Sequence, residues 1–162
     1  MSSFPVAIAL GSNLGDRRGH LEWAASELRR FLDNVTVSSI IETAAFDVPD
    51  EQPPYLNAVV VGETALPAPE VLAELGRLER ERGRTRPSFR ASRTLDLDLI
   101  LHGDTVVSTE RLVVPHPRFR DREFVLAPLA EIAPEMIDPL TGLTVGELLR
   151  KLRLRTSNFE GH

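Results

Sequence analysis

Short apolar runs and stretches of helical spacing follow one another along the chain, and their order predicts the elements. Val6-Ala7-Ile8-Ala9-Leu10 is an apolar run closed by Gly11-Ser12-Asn13-Leu14-Gly15, which predicts a buried strand and then a loop. Asp16 is placed to cap a helix running to about Leu32, with Leu21, Ala24, Ala25, Leu28 and Leu32 at helical spacing. Residues 35–41 are rich in β-formers and predict a second strand; residues 44–54, with their prolines and acids, predict a long loop. A third strand opens over Asn57 to Val61. Pro67 and Pro69 then start a helix carrying Val71, Leu72, Leu75 and Leu78 and ending near Gly83. After a loop, leucines at 95, 97, 99 and 101 alternate with Asp96 and Asp98 in a fourth strand. His102-Gly103-Asp104 predicts a turn into a short hairpin with Thr105-Val106-Val107. Residues 113–117 read as extended, Phe124 to Ile132 as a helix stopped by Pro134, Leu143 to Leu152 as a last helix, and 153–162 as a loose tail.

Strand–helix–strand–strand–helix–strand is the split βαβ, ferredoxin-like order. The expected fold is α+β: one domain over residues 1–152, a mainly antiparallel sheet, two helices on one face and the C-terminal helices on the other. That makes three layers, α/β/α, with the first strand and the Asp96 strand side by side in the middle of the sheet.

The fourth strand carries the most informative chemistry. Side chains alternate on a strand, so Asp96 and Asp98 face the same way, roughly 6–7 Å apart, and the leucines take the other face. Two carboxylates on one face of an apolar strand require a positive partner, and a hard divalent cation such as Mg²⁺ takes oxygen ligands. An isolated DxD is also satisfied by ordinary pairing with arginines at a strand end. Here, however, Arg80, Arg82, Arg84, Arg86, Arg90 and Arg93 lead directly into it. Guanidiniums for phosphate beside carboxylates for metal point to magnesium-assisted nucleotide chemistry.

Composition narrows the setting. The chain has 162 residues, no cysteine and a formal net charge of −5. Disulfides, thiolate metal sites and a cysteine nucleophile are excluded, and a general nucleic-acid binder is disfavoured. No apolar run is long enough to span a bilayer and no signal-peptide pattern opens the chain, so the expected location is cytoplasmic, with no membrane partner. Lys151 is the only lysine and no GxxxxGK[ST] occurs, which excludes a P-loop.

Other candidates read less sharply. Tyr55 and Asn57 share a strand face, where a ring and an amide could hold a flat heteroaromatic; a core tyrosine and a turn asparagine is the other reading. Phe46 and Phe124 are more commonly core or loop anchors, and Asp47, Asp50 and Glu51 solvated loop charges. Glu79 is placed for a helical ion pair, and Arg84 and Arg86 to project together onto phosphate. His116 stands between two prolines, near Arg118, Arg120 and Arg122, and is either structural or turned toward a phosphate or base. His20, His102 and His162 read as surface residues.

Taken in order, several motifs resemble the hydroxymethyldihydropterin pyrophosphokinase family of folate biosynthesis. They are 7–15 (Ala-Ile-Ala-Leu-Gly-Ser-Asn-Leu-Gly), Tyr55-Leu56-Asn57-Ala58, Gly83-Arg84, the Arg93-to-Asp98 segment, Thr109-Glu110-Arg111-Leu112, Val114-Pro115-His116 and residues 128–134. The resemblance implies diphosphate transfer from ATP to the hydroxymethyl group of 6-hydroxymethyl-7,8-dihydropterin, releasing AMP. It implies two Mg²⁺ ions on Asp96 and Asp98, and Arg84 and Arg93 closing over the β- and γ-phosphates. Glu79, Arg86, Leu99, Arg111, His116 and Arg122 fall at the remaining nucleotide positions. Tyr55 and Phe124 correspond to the rings that sandwich the pterin, with Thr43, Phe46 and Asn57 around it. The family also implies a monomer. The chain departs from the family pattern where Phe89-Arg90-Ala91-Ser92 replaces the usual Arg-Trp-Gly-Pro, where Pro117 follows the histidine, and where Ala44 and Ala45 follow Thr43. A non-catalytic nucleotide or pterin binder on the same fold is the alternative; a palm-type nucleotidyl transferase is a more distant one.

Overall fold

A computed structural model describes residues 3–43, 54–83 and 94–160. Strand β1 (Phe4–Ser12) runs through the middle of the main sheet. It pairs antiparallel with β4 (Tyr55–Thr64) on one side and with β5 (Asp96–His102) on the other. β2 (Asp33–Val37) and β3 (Ile41–Thr43) both pair with β4. The order β2-β4-β1-β5 is that of the ferredoxin-like sheet. The Asp96 strand does adjoin β1, but it ends the row rather than lying in its middle.

Alternation along β1 divides the core. Val6, Ile8 and Leu10 face α1 (Arg17–Leu28) and α2 (Ala68–Gly83), where Leu21, Leu28, Val71, Leu75 and Leu78 are buried with them. Ala7 faces the opposite layer, α3 (Glu123–Ile132) and α4 (Val145–Glu160), where Phe119, Leu126, Leu129 and Leu148 pack. Asp16 caps α1 by accepting from the Gly19 N–H at 3.1 Å. A reciprocal capping box starts α4: the Glu147 N–H donates to Thr144 Oγ1 and the Thr144 N–H to Glu147 Oε1.

Several expectations change. The first helix ends at Leu28, because short-range bonds from Arg30 to the Glu27 carbonyl and from Phe31 to that of Leu28 tighten the chain into a turn; Leu32 is still buried. The single strand expected over 35–41 breaks into β2 and β3. Between them Ser38 Oγ accepts from the Val59 N–H at 2.8 Å, a side chain standing in for a strand carbonyl. Leu101 does not share a face with Leu95, Leu97 and Leu99. The register of β5 shifts between Leu99 and Leu101, and Ile100 and Leu101 both join the α3/α4 core. The hairpin after His102 does not pair back onto β5; β6 (Val107–Ser108) pairs with β7 (Val113–Val114) instead. Helix α4 continues past Leu152 to Glu160, through residues expected as a loose tail. His20 and His102 are buried rather than superficial. His102 bonds Thr105 Oγ1 and the Leu66 carbonyl, which satisfies both ring nitrogens.

Candidate active site

The site lies on the α3/α4 face of the sheet, at the Ser12 end of β1. In register, Gly11 stands between Asn57 on β4 and Asp96 on β5; one step along, Ala9 stands between Val59 and Asp98. Residues with little or no side chain therefore occupy the middle strand, and the space between the two outer strands stays open. The result is a cavity of about 440 Å³. Arg122, Phe124 and Val125, at the start of α3, close it opposite this floor. The sequence carried a signal for the floor in the alternation of small Ala7, Ala9 and Gly11 with large Val6, Ile8 and Leu10.

The two ends of the cavity differ in chemistry. At one end are Thr43, Tyr55 and Asn57, on β3 and β4, while Phe124 reaches the cavity from α3. Thr43 and Tyr55 are register partners, and the Asn57 amide donates to Thr43 Oγ1 at 2.8 Å. That bond orients the amide and leaves its oxygen as an acceptor over Gly11. At the other end are Asp96, half-buried, and Asp98, exposed.

Glu79, on α2, reaches the outer edge of β5 and accepts the Leu97 N–H at 2.8 Å. This is the backbone donor between the two aspartates, on the strand that ends the sheet order among the described residues. His116 is pinned by donation from its backbone N–H to the Ile100 carbonyl at 3.0 Å. Burial pushes its imidazole below the ordinary value; Asp98 opposes this, and the guanidiniums of Arg122, Arg118 and Arg120 add to it. Nδ1 accepts the Arg118 N–H at 3.1 Å, so the neutral ring carries its proton on Nε2.

The arginines near His116 divide by role. Arg122 lines the cavity, with its guanidinium carbon 5.7 Å from the Phe124 ring centroid. Arg120 is bound to Asp138, outside the cavity. Arg118 and Arg111 are exposed and line no part of the cavity. The Leu99 side chain is buried in the α1/α2 core. Phe46, Arg84, Arg86 and Arg93 lie outside the described residues, as do Asp47, Asp50, Glu51 and the segment that departs from the family pattern before Arg93.

The aspartate pair suits magnesium in kind. Among the described residues no group of three or more His, Cys, Asp or Glu side chains could hold a metal alone. Two carboxylates leave most of an octahedral shell to water and to phosphate oxygens, the usual arrangement for Mg²⁺ on a nucleotide.

Residues 7–134 match the family model of 7,8-dihydro-6-hydroxymethylpterin-pyrophosphokinase. The chain is 40% identical over 149 residues to the 2-amino-4-hydroxy-6-hydroxymethyldihydropteridine pyrophosphokinase of Synechocystis, covering 91% of this chain and 75% of that one. It is 44% identical over 131 residues to the Bacillus subtilis protein of the same name, covering 80% and 78%. A Plasmodium falciparum HPPK-DHPS crystal structure shares the fold at a TM-score of 0.73 and 13% identity, over 99% of this chain and 47% of that one, so the chain spans about half its length. With the match running from the first strand to the end of the third helix, the chain belongs to the 7,8-dihydro-6-hydroxymethylpterin-pyrophosphokinase family.

Proposed function

We propose that the protein transfers the terminal diphosphate of ATP to the hydroxymethyl group of 6-hydroxymethyl-7,8-dihydropterin, yielding AMP and the pterin diphosphate, in folate biosynthesis. The observation that carries this reading is a cavity with a ring-and-amide end and a paired-carboxylate end, set on three adjacent strands. Tyr55 and Phe124 hold the pterin between their rings, and Asn57, oriented by Thr43, reads its edge. Asp96 and Asp98 would hold two Mg²⁺ ions. The hydroxyl oxygen attacks the β-phosphorus, the bond from that phosphorus to the α,β-bridging oxygen breaks, AMP leaves with that oxygen, and the hydroxyl proton is released. Bound magnesium supplies charge neutralisation and acidifies the hydroxyl.

The chain's own residues contribute mainly position and charge. Arg122 places a cation at the cavity wall, and neutral His116 offers an Nε2–H donor near Asp98. Glu79 holds the edge of β5 through the Leu97 N–H. Arg84 and Arg93 follow α2 in sequence and are assigned to the β- and γ-phosphates, with Arg86 and Arg111 on the nucleotide and Phe46 on the pterin. The protein acts as a monomer in the cytoplasm.

The test is AMP formation from ATP and Mg²⁺, with and without the dihydropterin. Pterin-dependent AMP is the expected result. Folded protein that binds ATP and yields no AMP would overturn the reading in favour of a non-catalytic binder; AMP formed equally without pterin would mean hydrolysis or another acceptor.

A further inference from the structure

Arg17 is the first residue of α1, just after the loop that continues the cavity floor. Its Nη1 donates to the Pro54 carbonyl oxygen at 2.6 Å and stands 3.3 Å from Glu42 Oε2. Pro54 immediately precedes Tyr55, and Glu42 immediately precedes Thr43. One guanidinium thus joins the two strand ends whose next residues face the cavity.

The joint is at the end of the β3–β4 ladder. Thr43 and Tyr55 are the last register partners, and Pro54 lies beyond them. A carbonyl outside a ladder needs a donor from elsewhere, and Arg17 supplies one. Glu42 pairs with Leu56, whose side chain packs on the α1/α2 core, so Glu42 and Arg17 lie behind the sheet as viewed from the cavity. Arg17 lines no part of the cavity. It can act on a ligand only through the strands it ties.

We propose that Arg17 is a positioning residue for the pterin end of the site, fixing Tyr55 and Thr43, and through Thr43 the Asn57 amide, relative to α1 and the floor. This rests on the reading of that end as the pterin site. The Pro54 contact carries the effect, because it is short, charge-assisted and made to backbone. The Glu42 contact adds little, being exposed and screened.

The experiment measures equilibrium binding of 6-hydroxymethyl-7,8-dihydropterin in the presence of a non-hydrolysable ATP analogue, with kcat and both KM values, for the parent, R17A, R17K and E42Q. In R17A, pterin affinity should fall about 5- to 20-fold, part of what a hydrogen bond to a charged group is worth, while kcat and the KM for ATP stay within about twofold. R17K should recover most of the loss, since an ammonium can still donate to the Pro54 carbonyl. E42Q should stay near the parent. Parental pterin affinity in R17A, equal losses for both substrates, or failure of R17K to recover would each overturn the proposal. If R17A does not fold, R17M, which keeps the aliphatic stem but no donor, replaces it under the same criteria. A parent that binds no pterin would overturn the site reading and this inference together; a parent that binds, with R17A binding equally well, overturns the inference alone.

Discussion

Replacing Arg120 by alanine separates a structural arginine from a phosphate-binding one. Arg120 Nε and Nη2 donate to the two Asp138 carboxylate oxygens at 2.6 and 2.9 Å. The Thr141 hydroxyl and the Leu140 N–H donate to the same carboxylate at 2.8 and 3.1 Å. Asp138 is fully buried. Burial pushes its carboxyl up, but Arg120, Thr141 and the Leu140 N–H outweigh burial and hold it below its ordinary value. Without the guanidinium, a buried carboxylate keeps only neutral donors, which costs about 3–5 kcal/mol. At about 2–4 °C per kcal/mol for a chain of this size, Tm should fall by about 6–20 °C at pH 7. In the parent, a lowered carboxyl contributes stability above its unfolded value of about 3.9 and loses it as pH falls through the folded one. In R120A, burial no longer has the guanidinium against it and raises the carboxyl, so acid relieves the variant. The Tm gap should therefore narrow between pH 7 and pH 4. Because Arg120 does not line the cavity, kcat and the KM for ATP, measured well below Tm, should stay within about threefold. A Tm within about 2 °C of the parent, together with about a hundredfold loss in kcat/KM for ATP, would refute the structural role and point to a phosphate-binding one.

Asp98→Ala should abolish pterin-dependent AMP formation while leaving Tm within about 2 °C, since Asp98 is exposed; turnover at the parental rate in saturating Mg²⁺ would remove it from the metal site. Glu79→Ala should speed hydrogen exchange of the Leu97 amide and lower kcat, whereas Glu79→Gln, which keeps an acceptor oxygen, should preserve the protection; equal exchange in both variants would deny Glu79 its hold on β5. His116 should titrate below its ordinary 6.5 by NMR. With a folded value below the unfolded one, its contribution to stability is complete above pH 6.5 and declines as pH falls through the window beneath; a midpoint above 6.5 would contradict the burial argument.

What could be read from the sequence was whatever a single strand or helix carries by its own periodicity. Asp96 and Asp98 two apart, and Tyr55 and Asn57 two apart, had to share faces once each segment was a strand. The order of elements then brought the two pairs onto neighbours of β1. Periodicity fails where a strand stops being regular: the shift at Ile100 sends Leu101 to the opposite core from Leu99, and nothing in Leu-Ile-Leu announces it. It fails equally where a side chain does backbone work, as Ser38 does between β2 and β3.

The roles of the charged residues were still less accessible, because each is set by a partner distant in sequence. Arg118, Arg120 and Arg122 look equivalent along the chain, yet one is exposed, one is fixed to Asp138 and one lines the cavity. What distinguishes Arg120 is a carboxylate that Thr141 and the Leu140 N–H make able to stay ionised in the interior. Arg17 and Glu79 follow the same logic. The first acts on a backbone carbonyl beside Tyr55, the second on a backbone N–H between the two aspartates. Both lie at ends or edges of the sheet, where strand pairing leaves polar groups without a neighbour and a long side chain can replace one. The cavity-lining Tyr55 and Asp96 open β4 and β5 at those same margins, so charges that face away from the cavity can support them.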